Sequence, residues 1–139
     1  MPKEPQIIIS TQDFDRLERL VDSISPQYAP GLDALRRELD RALVVEWDEI
    51  PPDVITMNST ARFIDDASGK EYELTLAYPD DTHLTQGTVS VLAPVGSALL
   101  GLSVGQSIEW QIPGGRTLQL RVLAVTYQPE AARKNRPQG

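Results

Sequence analysis

Val89-Ser90-Val91-Leu92-Ala93-Pro94-Val95-Gly96-Ser97-Ala98-Leu99-Leu100-Gly101-Leu102-Ser103-Val104-Gly105 decides how the rest of this chain is read. An apolar strand over Val89–Leu92 runs into Pro94, whose fixed φ suits the first turn of a helix and whose missing donor that turn does not use. Small residues follow, then Leu99 and Leu100, and Gly101 stands where a left-handed cap commonly ends a helix. Gly96 weakens any helix that holds it, so another backbone is expected to pack closely there. The motif reads either as a structural corner of a β domain or as a contact surface.

Outward from this stretch the period is that of strands. Tyr72, Leu74, Leu76 and Tyr78 alternate with Glu71, Glu73, Thr75 and Ala77, the pattern of a strand with one buried face. Ala61–Ile64 is a shorter run joined to it through the turn-forming Asp65-Asp66-Ala67-Ser68-Gly69. Ile108, Trp110 and Ile112 alternate, Pro113-Gly114-Gly115 turns the chain, and Leu118, Leu120 and Val122 lie opposite Leu123, Val125 and Tyr127. That phase change at 122–123 predicts a bulge or a strand buried on both sides. Residues 51–128 are thus expected to form an antiparallel sheet with one short helix, an α+β unit.

Upstream the period is helical. Ser10-Thr11-Gln12-Asp13 has the form of a helix start, followed by Phe14, Leu17, Val21 and Ile24 at helical spacing with Leu20 widening the stripe. Pro26 and Pro30-Gly31 interrupt, and a second stripe runs through Leu32, Leu35, Leu39 and Leu43. Residues 1–50 are therefore expected to be a short antiparallel α-hairpin, each helix roughly 20 Å long, which cannot stand alone. Ile7-Ile8-Ile9 before it suits a strand or an anchor. Pro51-Pro52 marks the division between the two units, and residues 129–139, poor in apolar side chains, are expected to be a flexible tail.

Composition narrows the function. The chain has 139 residues, no cysteine and a net charge of −7. Disulfides and thiolate metal sites are excluded. Residues 1–50 carry net −5 and 51–128 net −4, and only the last eleven residues are basic, at +2. Direct, sequence-specific grip on nucleic acid needs a basic footprint that is missing here, whereas an acidic body suits a basic protein surface. No apolar run approaches the roughly 20 residues of a membrane span, and no signal peptide is apparent, so a cytoplasmic protein is expected.

The motif Pro94-Val95-Gly96-Ser97-Ala98-Leu99-Leu100-Gly101 with Val104-Gly105-Gln106 resembles the signature of the Gre transcript-cleavage factors, in which an acid stands where this chain has Gln106. Val54-Ile55-Thr56-Met57-Asn58-Ser59, Tyr127-Gln128-Pro129-Glu130-Ala131-Ala132 and the short hairpin are similar to the Gre-related family of regulators of nucleoside diphosphate kinase. The resemblance implies an FK506-binding-protein-like β domain and binding to bacterial RNA polymerase at the rim of its secondary channel. The contact residues it nominates are Pro94, Val95, Gly96, Ser97, Leu99, Leu100 and Gly101, with Asp22, Gln27, Tyr28 and Asp33 about the hairpin tip. Gre factors carry acids at that tip which help hold a catalytic magnesium; the stretch from Ser23 to Gly31 has none. Docking in competition with other secondary-channel factors, without cleavage, is the reading that follows.

The remaining candidates have structural readings. Asp33 suits a helix N-terminus, Asp22 a solvated face, and His83 an exposed loop. Asp65-Asp66 and Asp80-Asp81 suit turns better than acid–base chemistry, and Gly114-Gly115 lacks the Lys-Ser/Thr of a phosphate loop. No catalytic residue, metal ligand or cofactor is nominated. Two other function classes stay open: a prolyl isomerase using Phe63, Tyr72, Tyr78, Trp110 and Tyr127, and a scaffold or homodimer joined through the Leu stripes.

Overall fold

The structure, a computed structural model, describes residues 7–24, 32–79, 87–92, 94–111 and 117–134. Strand β1 (Ile8–Ser10) leads directly into helix α1 (Thr11–Ser23). The Ser10 side chain accepts the Asp13 amide at 3.1 Å, satisfying a first-turn donor that has no partner within the helix. Leu17 and Val21 are buried, with Phe14, Leu20 and Ile24 packed at the margin, so the expected stripe faces the core. Helix α2 (Leu32–Arg41) buries Leu32, Leu35 and Leu39 in the same way.

Leu43 corrects the sequence reading. It opens strand β2 (Leu43–Val45), parallel to β1, and is 46% exposed. The Ala42 amide bonds back to the Leu39 carbonyl at 3.3 Å, closing the helix, and the Ile7 carbonyl takes the Leu43 amide at 2.9 Å. The β-branched pair Val44-Val45 then favours extended backbone over another turn. Helix α2 is accordingly about 15 Å long rather than 20.

A single 3-10 turn (Trp47–Glu49) follows, and the chain enters a five-stranded sheet. Its strands are β3 (Thr60–Asp65), β4 (Glu71–Ala77), β5 (Thr88–Ser90), β6 (Ser107–Gln111) and β7 (Thr117–Tyr127), in the order β5-β4-β3-β7-β6. The β3–β4, β3–β7 and β6–β7 pairs are antiparallel, as expected. β5 is not: it runs parallel to β4. A parallel neighbour requires the chain to return to the starting end of the strand, and the connection between Ala77 and Thr88 is long enough for that, unlike a hairpin turn. β5 also ends at Ser90, before the expected Leu92, because the Ser90 hydroxyl accepts the Leu92 amide at 3.0 Å and turns the backbone. The phase change in β7 is a bulge: Phe63 faces Val122 and Arg62 faces Ala124, leaving Leu123 as the extra residue.

The α+β class stands, with more helix than expected. Besides helix α3 (Pro94–Leu99), residues Pro129–Lys134 form helix α4 where a flexible tail is expected from composition. One buried amide explains the difference. Gln128, immediately before α4, donates from Nε2 to the carbonyls of Pro51 at 2.8 Å and Val54 at 2.7 Å, and its Oε1 accepts the Ala131 amide at 3.1 Å. Apolar side chains from both sides of the 50/51 division meet in one cluster, in which Ile7, Leu17, Leu35 and Leu39 join Ile55, Phe63, Leu76, Leu99 and Leu120.

Candidate functional site

Helix α3 is built by close approach of backbones. At Gly96 a Cβ would fall 2.7 Å from the carbonyl carbon of Ser90 and closer still to its oxygen, so only glycine lets α3 lie on the end of β5. Gly101 ends the motif with φ +80°, and a Cβ there would sit 2.9 Å from the Ile8 nitrogen. Its amide donates to the Ile55 carbonyl at 2.8 Å, its carbonyl accepts the Ile8 amide at 3.3 Å, and Ile55 donates to the Leu102 carbonyl at 2.7 Å. The motif is thus the seam along which β1, the 50–57 link and α3 are joined. Leu99 and Leu100 are each 1% exposed, and Gly96, Ser97 and Gly101 are buried as well. These five residues, expected at a partner contact, are buried in the chain and serve its packing. Pro94 and Val95 lie in α3, with their side chains outside the described residues. What the stretch does expose is Val104, at 39%, followed by Gly105.

A polar cluster lies beside that seam. The Asp13 carboxylate, from the first turn of α1, takes the Met57 amide at 3.4 Å and the Tyr78 hydroxyl at 3.5 Å. These are long bonds for a carboxylate. Burial, and then the charge of Glu130, push its pKa up from 3.8 to about 6, against the Met57 and Tyr78 hydrogen bonds and the nearby Arg16. Tyr78 is likewise raised, by burial first and the Asp13 charge second, which keeps its hydroxyl a donor. Glu130, on α4, is 9% exposed and accepts the Thr56 hydroxyl at 2.7 Å. With that proton committed, the Ser59 hydroxyl must donate to Thr56 Oγ1 at 2.8 Å while accepting the Thr56 amide at 2.9 Å. Arg133 caps the cluster by stacking on Trp47 at 3.9 Å. Asp13 is legible in the sequence only as a helix-start residue, and Glu130 only as part of the Tyr127–Ala132 motif running into the tail; neither reading brings the two together.

The exposed surface of α1 divides into faces set by its 3.6-residue turn. Leu17 and Val21 point inward, and Glu18 and Asp22 line a shallow cleft towards α2 with Arg36 and Asp40. Arg16, Arg19, Leu20 and Ile24 line a larger groove of about 520 Å³ with Tyr78 and Pro79. Arg16 lies over the Tyr78 ring, 3.7 Å from its centroid. Asp22 is exposed on α1, and Asp33 is exposed in the first turn of α2. Gln27 and Tyr28 lie outside the described residues, as do Asp80, Asp81, His83, Gly114 and Gly115.

Among the described residues no group of three or more potential ligands could hold a metal ion. Asp65 accepts the Ser68 hydroxyl at 2.7 Å, which holds its carboxyl below the usual range, and Asp66 pairs with Arg121 at 2.9 Å. Both acids are engaged in turn structure. Among the described residues the aromatic side chains do not converge on a pocket: Phe63 is core, Tyr78 is covered by Arg16, Lys70 stands over Tyr72, and Tyr127 is 51% exposed. The Trp110 ring is outside the described residues. No described helix is long and apolar enough to cross a membrane.

Residues 50–127 match the family model described as transcription elongation factor GreA/GreB, C-terminal part, and residues 5–45 match the Rnk N-terminus. The chain is 47% identical over 130 residues to the regulator of nucleoside diphosphate kinase of Escherichia coli K12, spanning 92% of this chain and 94% of that protein. It is 30% identical over 94 residues to transcription elongation factor GreA of Pelobacter propionicus, spanning 68% of this chain and 59% of that one. A solved structure, the prokaryotic transcription elongation factor GreA/GreB from Nitrosomonas europaea, superposes with a TM-score of 0.77 at 52% identity, covering 88% of this chain and 99% of its own.

Proposed function

The chain belongs to the GreA/GreB family of transcription elongation factors, with an Rnk-type N-terminus, and we propose that it is a non-enzymatic, cytoplasmic regulator that binds bacterial RNA polymerase. It docks at the rim of the secondary channel and competes there with Gre-type factors. One observation carries this reading: the family motif Pro94–Gly101 is the seam that holds the N-terminal helices against the sheet through Gly101, Ile8 and Ile55. A motif used in this way presents two units to a partner in one orientation, which is what a docking factor requires.

The same reading excludes cleavage stimulation. A magnesium site needs convergent carboxylates, and the segment from Ser23 to Gly31 contains none. Helix α1 is 13 residues, about 20 Å, a short reach for a probe of an enzyme interior. In stalled elongation complexes the full chain is expected to leave the transcript intact and to suppress the cleavage induced by an added Gre factor as its concentration rises. Cleavage by this chain alone, or undiminished cleavage at saturating amounts of it, would overturn the proposal.

A further inference from the structure

We infer that the groove between the arginine face of α1 and the end of β4 is a slot for an acidic, amphipathic polypeptide segment of the polymerase. The inference rests on the polymerase reading above and goes beyond it by naming the surface and the chemistry of what fills it.

The groove reverses the charge of its surroundings. The chain as a whole is at −7, yet Arg16 and Arg19 stand together at this groove while Glu18 and Asp22 turn to the cleft against α2. Positions 16, 19, 20 and 23 share one side of a 3.6-residue helix, and 15, 18 and 22 share another, so the sorting is built into the sequence of α1. Neither arginine forms an ion pair among the described residues. Arg16 is held flat against Tyr78 at 3.7 Å, which removes much of the rotamer entropy that a free arginine loses on pairing. Beside the two guanidinium groups, Leu20, Ile24 and Pro79 give an apolar wall.

Two cations next to an apolar wall fit a segment with carboxylates on one side and an aliphatic or aromatic residue on the other. A nucleic-acid strand fits poorly. Two arginines flanked by the acids of the same helix do not make the extended basic footprint that phosphates require. The groove, at about 520 Å³, has room for several side chains and not only for one ion.

The chain has no cysteine, so Ser23→Cys, on the rim of the groove, supplies a single thiol for a photo-crosslinker. With purified core RNA polymerase, the full chain is expected to cross-link to a polymerase segment rich in Asp and Glu with apolar neighbours. Arg19→Glu is expected to weaken retention on the polymerase by about tenfold or more while keeping the wild-type melting curve. Arg36→Glu, in the cleft on the other side of α1, serves as the control and is expected to bind as wild type. Retention of Arg19→Glu equal to wild type, or a cross-link to nucleic acid or to a basic segment, would overturn this inference and leave the polymerase reading intact. Failure of the wild-type chain itself to be retained would overturn both.

Discussion

At Gly101 a positive φ of +80° and the contact with Ile8 act on the same atom, so an added methyl group meets both costs. Gly101→Ala is expected to lower the unfolding free energy by about 2 kcal/mol or more, measured by urea titration. Asp13 behaves in the opposite sense. Its pKa of about 6 in the fold exceeds the ordinary 3.8, so the folded chain holds that proton more tightly than the unfolded chain. Its contribution to stability is therefore complete below about pH 4 and is lost as the pH rises through about 6. Asp13→Asn, which cannot ionise, is expected to stabilise the chain at about pH 8 by about 1–2 kcal/mol, after allowing for solvent screening, and much less at about pH 4. An equal effect at both pH values would show that burial of the charge is not what Asp13 contributes.

At the scale of elements, the strands of the five-stranded sheet and both long helices were legible because their apolar residues keep a period: two along β4, three to four along α1. The phase change in β7 was legible for the same reason, though it left open a bulge or a strand buried on both sides, and the register shows the bulge. What could not be read were features fixed by distant partners. Leu43 continues the helical spacing of α2, but the Ile7 carbonyl takes its amide into a strand. Helix α4 has almost no apolar content and is held by Gln128, whose amide meets two carbonyls more than seventy residues away in sequence. Gln128→Ala would take the side-chain donor from the Val54 carbonyl and leave the Pro51 carbonyl only the Val54 amide at 3.3 Å, at a cost of about 1–3 kcal/mol. Hydrogen exchange should then show the amides of α4 opening before those of β3 and β7. The motif of α3 was legible as a motif, but its role was not. Spacing cannot tell a buried leucine from a presented one, and Leu99 is 1% exposed. Leu99→Glu is expected to abolish the folded circular-dichroism spectrum, because an unpaired charge in the core costs several kcal/mol. Val104→Glu, at an exposed position, is expected to keep it.

At the scale of the molecule, one apolar cluster among the described residues joins the N-terminal helices to the sheet, so the chain is expected to unfold in one transition with coincident fluorescence and circular-dichroism midpoints. A separate early loss of helix would contradict that continuity. The proposal that this chain is a ligand for RNA polymerase draws on the family match over residues 50–127 and on the acid-free stretch from Ser23 to Gly31. The most direct measurement is size-exclusion chromatography of the full chain with purified core RNA polymerase at moderate salt, repeated with increasing amounts of a Gre-type factor. Co-elution that the Gre factor progressively displaces is the predicted result. A chain that elutes alone at every ratio would contradict it.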